Sequence, residues 1–285
     1  MPRIAFIADI HHGEDVLTKK SSQALQLFAQ FAEFVAAEQP DLVIDLGDRI
    51  ADRSHDTDLM LEHEVAAAFA SIRVPIRHLC GNHDRDFLSV AENEAILDQS
   101  MGHEVVDLGS WQVLVWRADT RIHRLPEGDT FRLADGDLDW LADHVRQAVK
   151  PTLVVSHVPL SGQSQRSNYY FHANYGISIY PELEPIQAAL REARMPMICV
   201  SGHVHWNSLT IVDAIPHVTL QSLSESWPHP PKAAKAWGLL KLSETIDWTA
   251  FGRQRFQFSL NAMSTAERGL APHPPFGRSE VVDAG

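Results

Sequence analysis

The sequence predicts an α/β fold in which two packed sheets are flanked by helices, and three observations predict it. Strand-length apolar runs alternate with helical periodicity through the first 156 residues. Closely spaced strand-like runs occupy most of residues 197–259, a spacing that suits a mixed or antiparallel sheet. Short polar motifs stand directly after apolar runs: Asp9-Ile10-His11, Gly47-Asp48, Gly81-Asn82-His83-Asp84, Ser156-His157 and Gly202-His203-Val204-His205. The crevice beyond the carboxyl ends of strands is where open α/β sheets bind ligands.

Residues 3–8 form a buried strand, and a helix over 21–38 follows, with Leu25, Phe28, Ala29, Ala32, Val35 and Ala36 recurring at nearly 3.6-residue spacing. Pro40 ends that helix, and residues 42–46 make the second strand. A helix over 60–70 leads through Pro75 to a strand over 76–80. A helix over 90–99, strands over 104–108 and 112–117, and a helix over 138–149 come next, and Pro151 introduces a strand over 152–156. Right-handed crossovers would join these units. Further strands are predicted over 197–201, 208–212, 217–221, 238–242, 245–251 and 255–259. Residues 158–180, rich in Ser, Gly, Gln, Asn and aromatics, are too long and polar for a simple connector. From Asn261 the strand pattern stops, and Ala271-Pro272-His273-Pro274-Pro275 reads as an extended tail, either disordered or an arm on a partner subunit. The chain thus divides into a body, residues 1–260, and a tail, residues 261–285.

Composition excludes several classes. With 45% apolar and 21% charged residues over 285 positions, the chain can bury a substantial core. No run approaches the ~18 apolar residues of a membrane helix, and the apolar run before Asp9 is too short for a signal peptide. Cys80 and Cys199 each end an apolar run and read as buried thiols rather than a disulfide, in keeping with a cytoplasmic location. A formal charge of −13 lacks the basic footprint of a protein that grips long nucleic acid. It does not exclude small phosphate substrates, because bound metals supply local positive charge.

The motifs carry the chemistry. A carboxylate can bridge two cations, imidazole suits Zn, Mn or Fe, and an amide oxygen accepts a cation without adding charge. Of the sixteen His, five fall in the motifs. No motif is specific alone, but the five in this order are. On them the sequence resembles the calcineurin-like metallophosphoesterase superfamily over roughly residues 1–220. That resemblance implies a four-layer α-β-β-α sandwich and a catalytic body holding two divalent metal ions, drawn from Mn, Fe, Zn or Co. It implies Asp9, His11, Asp48 and His205 as one ligand set, and a bridging Asp48, Asn82, His157 and His203 as the other. His83 would face the phosphate and stabilise or protonate the leaving oxygen. The implied reaction is in-line attack on phosphorus by a metal-bound hydroxide.

Departures narrow the branch. Ala51 stands where purple acid phosphatases carry a ligand Tyr, and Asp48-Arg49-Ile50-Ala51-Asp52-Arg53 has one residue too many for the Ser/Thr protein phosphatase pattern. The chain most resembles bacterial class III cyclic-nucleotide phosphodiesterases and glycerophosphodiesterases. A small phosphodiester is therefore the expected substrate, with a phosphomonoesterase or a DNA-repair-type nuclease as alternatives. No nucleic-acid polymer or membrane is expected as a partner, and a homo-oligomer, dimer or larger, is. Substrate contacts are expected from Arg166, Asn168, Tyr169, Tyr170 and His172. Arg49, Asp52 and Arg53 either brace Asp48 or form a solvated helix start, the second being preferred. His12 reads as an outer or exposed residue. Trp206 and Trp227 are core residues or the rim of the pocket.

Overall fold

Alternation along the strands sets the layers of the computed structural model, which describes residues 1–270 and 273. In β1 (Arg3–Ile7), Ile4 and Phe6 enter one apolar cluster while Ala5 and Ile7 enter another. The same split recurs in β5 (Gln112–Val115), where Val113 and Val115 oppose Leu114, and in β6 (Thr152–Ser156), where Leu153 and Val155 oppose Val154. A strand buried on both faces requires cover on both.

The central cluster lies between two sheets. The first has the order β12-β11-β10-β1-β2-β3, with β2 (Leu42–Asp45) and β3 (Ile76–His78) parallel to β1. Its other half, β10 (Trp237–Leu242), β11 (Thr245–Phe251) and β12 (Phe256–Asn261), is antiparallel. The second runs β4-β5-β6-β7-β9-β8, adding β4 (Glu104–Asp107), β7 (Met197–Ser201), β8 (Ser208–Val212) and β9 (Ile215–Thr219). Here β5, β6, β7 and β9 are parallel and the edge strands antiparallel.

Helices cover the outer faces. α1 (Ala24–Glu38) and α2 (His55–Phe69) bury Phe28, Phe31, Leu61 and Val65 against the first sheet. α3 (Val90–Leu97), started by a Ser89–Glu92 capping box, packs on α2. α4 (Asp137–Gln147) and α5 (Leu183–Arg191) bury Leu141, Val145, Ile186 and Leu190 against the second. The predicted architecture of two mixed sheets between helices is the observed one.

Three details differ from the sequence reading. The late strands do not form one sheet: β8 and β9 extend the second, while β10 to β12 return to the first. α5 was not predicted, although Leu183, Ile186 and Leu190 recur at helical spacing; it is short and follows directly on the irregular segment. Past Asn261 the chain turns inward, burying Ala262 between the sheets, and Thr265 Oγ1 accepts a hydrogen bond of 3.0 Å from Met197 N. Residues 271–285 of the expected tail, His273 apart, lie outside the described residues. Among the described residues no helix is long and apolar enough to cross a membrane.

Candidate metal centre

Five parallel strands, β1, β2, β3, β6 and β7, end at one rim, and each is followed within a few residues by a motif. The loops are sewn together through the backbone. Asp9 N donates to Gly47 O at 3.0 Å, His11 N to Asp48 O at 3.0 Å, and Gly202 N to His157 O at 3.0 Å. His203 N donates to the Asp9 carboxylate at 3.0 Å, and His83 N to Asp48 Oδ1 at 2.9 Å. Asp9, His11, Asp48, His203 and His205 all have positive φ, between 48° and 69°. Such backbones cost roughly 1–3 kcal/mol each and persist only where surroundings over-determine them. Close approach also demands glycine: a Cβ on Gly81 would overlap the Asp48 carboxylate.

The donor atoms converge in two sets, Asp9, His11, Asp48 and His205, and Asp48, His157 and His203, with the ligand atoms within 4.8 Å of one another. Asn82 Oδ1 joins the second, 3.4 Å from His157 Nε2. The tautomers suit cations. His157 Nδ1 donates to Leu46 O at 2.8 Å and His205 Nδ1 to Glu225 Oε2 at 2.9 Å, leaving both Nε2 atoms aimed inward. His203 is reversed: Nε2 donates to Ile177 O at 2.7 Å, and its buried Nδ1 has no partner among the described residues. The Nε2 atoms of His11 and His205 face each other at 2.9 Å, an arrangement that calls for positive charge beside them.

Electrostatics agree. Burial works against a charged His205, yet its hydrogen bonds to Asp9 and Glu225 outweigh burial and push its pKa up to about 9. Burial lowers His203 to about 3, with His157 adding to the shift. Burial would raise Asp48, but the histidines 157, 83 and 203 hold it well below the carboxylate range. Two carboxylates, an amide oxygen and four imidazoles thus converge, and this donor set fits two divalent ions sharing Asp48.

Several supporting groups escaped the sequence reading or were read differently. Arg49 is not part of a solvated helix start: it is fully buried, donating to Glu62, to Asp45 at 3.0 Å, to Leu79 O at 2.5 Å and to Asn93 Oδ1 at 2.8 Å. Asp84 accepts from the amides of Gly81, Asp48 and Arg49 at 2.7, 2.8 and 2.8 Å, locking two motif loops together. Asp52 reaches His83 Nδ1 despite its offset spacing, whereas Arg53 is solvated and pairs with exposed Glu14. Glu225 lies in a stretch without any motif. Lys19, also without one, is 6% exposed, and its Nζ stands 3.3 Å from His83 Nε2. Because Glu225 fixes the His205 tautomer, Glu225→Gln is expected to weaken metal binding about 10- to 100-fold, as metal titration would show; unchanged affinity would remove Glu225 from the site.

A cavity of about 330 Å³ opens on these groups. Its floor is Asp48, Asn82, His83, His203 and His205, and its walls include Val16, Leu17, Ile122, Tyr170, Phe171 and Ile177. Of the expected substrate contacts only Tyr170 lines it. Arg166, Tyr169 and His172 are exposed elsewhere on the loop. Asn168 is buried, donating to Val204 O at 2.9 Å and accepting from Tyr170 N and Phe171 N, so it shapes the loop rather than meeting a ligand. His12 pairs with Glu64 at 2.6 Å, outside both sets. Trp206 and Trp227 contact each other, ring centroids 5.9 Å apart, away from the cavity lining. Cys80 and Cys199 are both free thiols.

Known proteins share this fold. The family described as calcineurin-like phosphoesterase matches residues 2–207. A dimetal phosphatase from Danio rerio superposes with a TM-score of 0.73 at 16% identity, covering 92% of this chain and 99% of that one. GAP50, the anchor in the inner membrane complex of Plasmodium, gives 0.55 at 13% identity, covering 97% and 99%. At these identities the likeness is one of fold. No curated protein matches the chain. The family match spans most of the chain and every motif that meets at the rim, and the chain belongs to the calcineurin-like phosphoesterase family.

Proposed function

We propose that the protein is a dinuclear metal-dependent phosphodiesterase acting on small diesters. The observation that carries the reading is the cavity's division into a ligand-bearing floor and apolar walls. A diester brings one negative charge to the floor and a second organic substituent to the walls. A monoester at neutral pH carries nearly two charges and only one organic substituent, so it covers less of the apolar side. Among the described residues lining the cavity, Lys19 is the single Lys or Arg, which does not suit the tracking of a nucleic-acid backbone.

Asp9, His11, Asp48 and His205 would hold one divalent ion, and Asp48, Asn82, His157 and His203 the other. The ions would supply Lewis-acid charge neutralisation and a lowered pKa for coordinated water. The protein's own groups do the rest. The Asp48 side chain, fixed by His83 N, keeps the two sets in register. Asp52 anchors His83 through Nδ1, so that Nε2 faces the cavity and can hydrogen-bond and protonate the leaving oxygen. Phe171 and Tyr170 shield the floor from water beside His203 and His205, at ring-centroid distances of 4.8 and 5.3 Å.

The test compares kcat/KM on bis- and mono-(p-nitrophenyl) phosphate with Mn-, Fe-, Zn- or Co-reconstituted protein, extended to cyclic nucleotides and glycerophosphodiesters. The diester is expected to be the better substrate. A monoester preference above about tenfold, some 1.4 kcal/mol of transition-state discrimination, would overturn the reading in favour of a phosphomonoesterase.

A further inference from the structure

Lys19 is a buried cation at the centre that belongs to neither ligand set. It lies on the loop between β1 and α1 and is pinned from three sides. Its backbone bridges Glu225, the residue that holds His205. The flanking residues are fixed as well, Lys20 N donating to Ser224 O at 2.9 Å and Ser226 N to Thr18 O at 3.1 Å. Thr18 Oγ1 meets Tyr170 OH at 2.8 Å, tying the loop to the cavity wall.

The ammonium so placed lines the cavity, 3.3 Å from His83 Nε2 and 5.8 Å from the centre of the Tyr170 ring. Asp48, Asp52, Glu225 and Asp9 surround it electrostatically, but among the described residues none forms an ion pair with it. An ammonium has three N–H donors, and His83 Nε2 stands within reach of only one of them. The others have no protein acceptor among the described residues, although a buried cation is stable only when its donors are satisfied. The carboxylates nearest to it are committed: Asp48 and Asp9 to the ligand sets, Glu225 to His205 and Asp52 to His83.

We propose that Lys19 is a substrate-recognition residue, its ammonium donating to a non-bridging phosphoryl oxygen of the ester while that oxygen's phosphorus sits over the shared Asp48. The inference rests on the phosphoester reading and adds to it a fixed, metal-independent cation beside His83. A point charge on a flexible stem suits this task, because it can follow the phosphoryl group as it inverts. The contact also sets selectivity: substrates or inhibitors with an anionic tetrahedral oxyanion gain from it, and neutral isosteres do not.

The experiment measures the affinity of inorganic phosphate for the metal-reconstituted full-length protein by calorimetry, in the wild type, Lys19→Met, Lys19→Gln and Lys19→Arg. Loss of one charge-assisted hydrogen bond is expected to weaken phosphate about ten- to a hundredfold in K19M and K19Q, with metal content and melting temperature kept, and K19R is expected to recover part of it. K19Q keeps a polar head group beside His83 and carries the test should K19M fold poorly. Phosphate affinity unchanged in either folded, metal-replete variant overturns the proposal, and so does K19R as weak as K19M, which would place the effect in packing. The phosphoesterase reading fails separately: it falls if the wild type turns over no phosphate ester, whereas phosphate affinity is read without turnover.

Discussion

Replacing Asp48 by Asn is expected to lower kcat/KM by about a thousandfold or more and to reduce metal content from two ions per chain toward none. Asp48 belongs to both ligand sets, so its carboxylate is the one donor whose loss uncouples them. An amide can ligate one cation through its oxygen, but it cannot supply the charge that two cations share. The same carboxylate accepts from His83 N, so the substitution also loosens the residue assigned to the leaving oxygen. Metal analysis with steady-state kinetics decides the matter. A D48N protein with two bound ions and more than about a tenth of wild-type activity would refute the shared-ligand assignment.

Replacing Arg49 by Met is expected to destabilise the fold by about 3–5 kcal/mol, measured by urea denaturation. Arg49 is the cation among three carboxylates, Asp45, Glu62 and Asp84, all fully buried. Burial, with Asp84 and Asp45 adding to it, already pushes Glu62 up to about 7 despite the guanidinium beside it. Without Arg49, three acids would face one another in an apolar layer with a single His78 in reach of Asp45, at 3.0 Å. The effect would reach the centre, because Asp84 holds the amides of Asp48 and Gly81. A further Glu62→Gln change in the R49M protein is expected to recover part of the loss, since it removes one of the stranded acids. An R49M protein within about 1 kcal/mol of wild type would show that the buried network adds little to stability.

Much of this was legible beforehand because period and punctuation are local. The alternation in Ile4-Ala5-Phe6-Ile7 and the glycines at 47, 81 and 202 announce strand and turn within a few residues. Ligand types at five strand ends imply a shared site before any distance is known, since parallel strands bring their carboxyl ends to one rim. α5 was missed because nine residues give only two turns of pattern. The segment over residues 158–180 was less legible for a different reason. Of the expected contacts Tyr170 lines the cavity, while Asn168 is consumed by the loop's own backbone, and Phe171, Asn174 and Ile177 are what else the segment brings to the cavity.

By itself, then, the sequence determined the layered α/β architecture, the family and the donor types at the rim, all of which follow from residue identity and short-range spacing. Tertiary structure alone decided which charges are buried and what they meet. Arg49 and Arg53 are four residues apart in one short segment, yet one is sealed among three acids and the other lies in water. Lys19 and Glu225 carry no motif, and become part of the centre because two loops far apart in the chain pair beside His205. A charge's role depends on the dielectric and partners around it, and those are fixed only when distant segments pack.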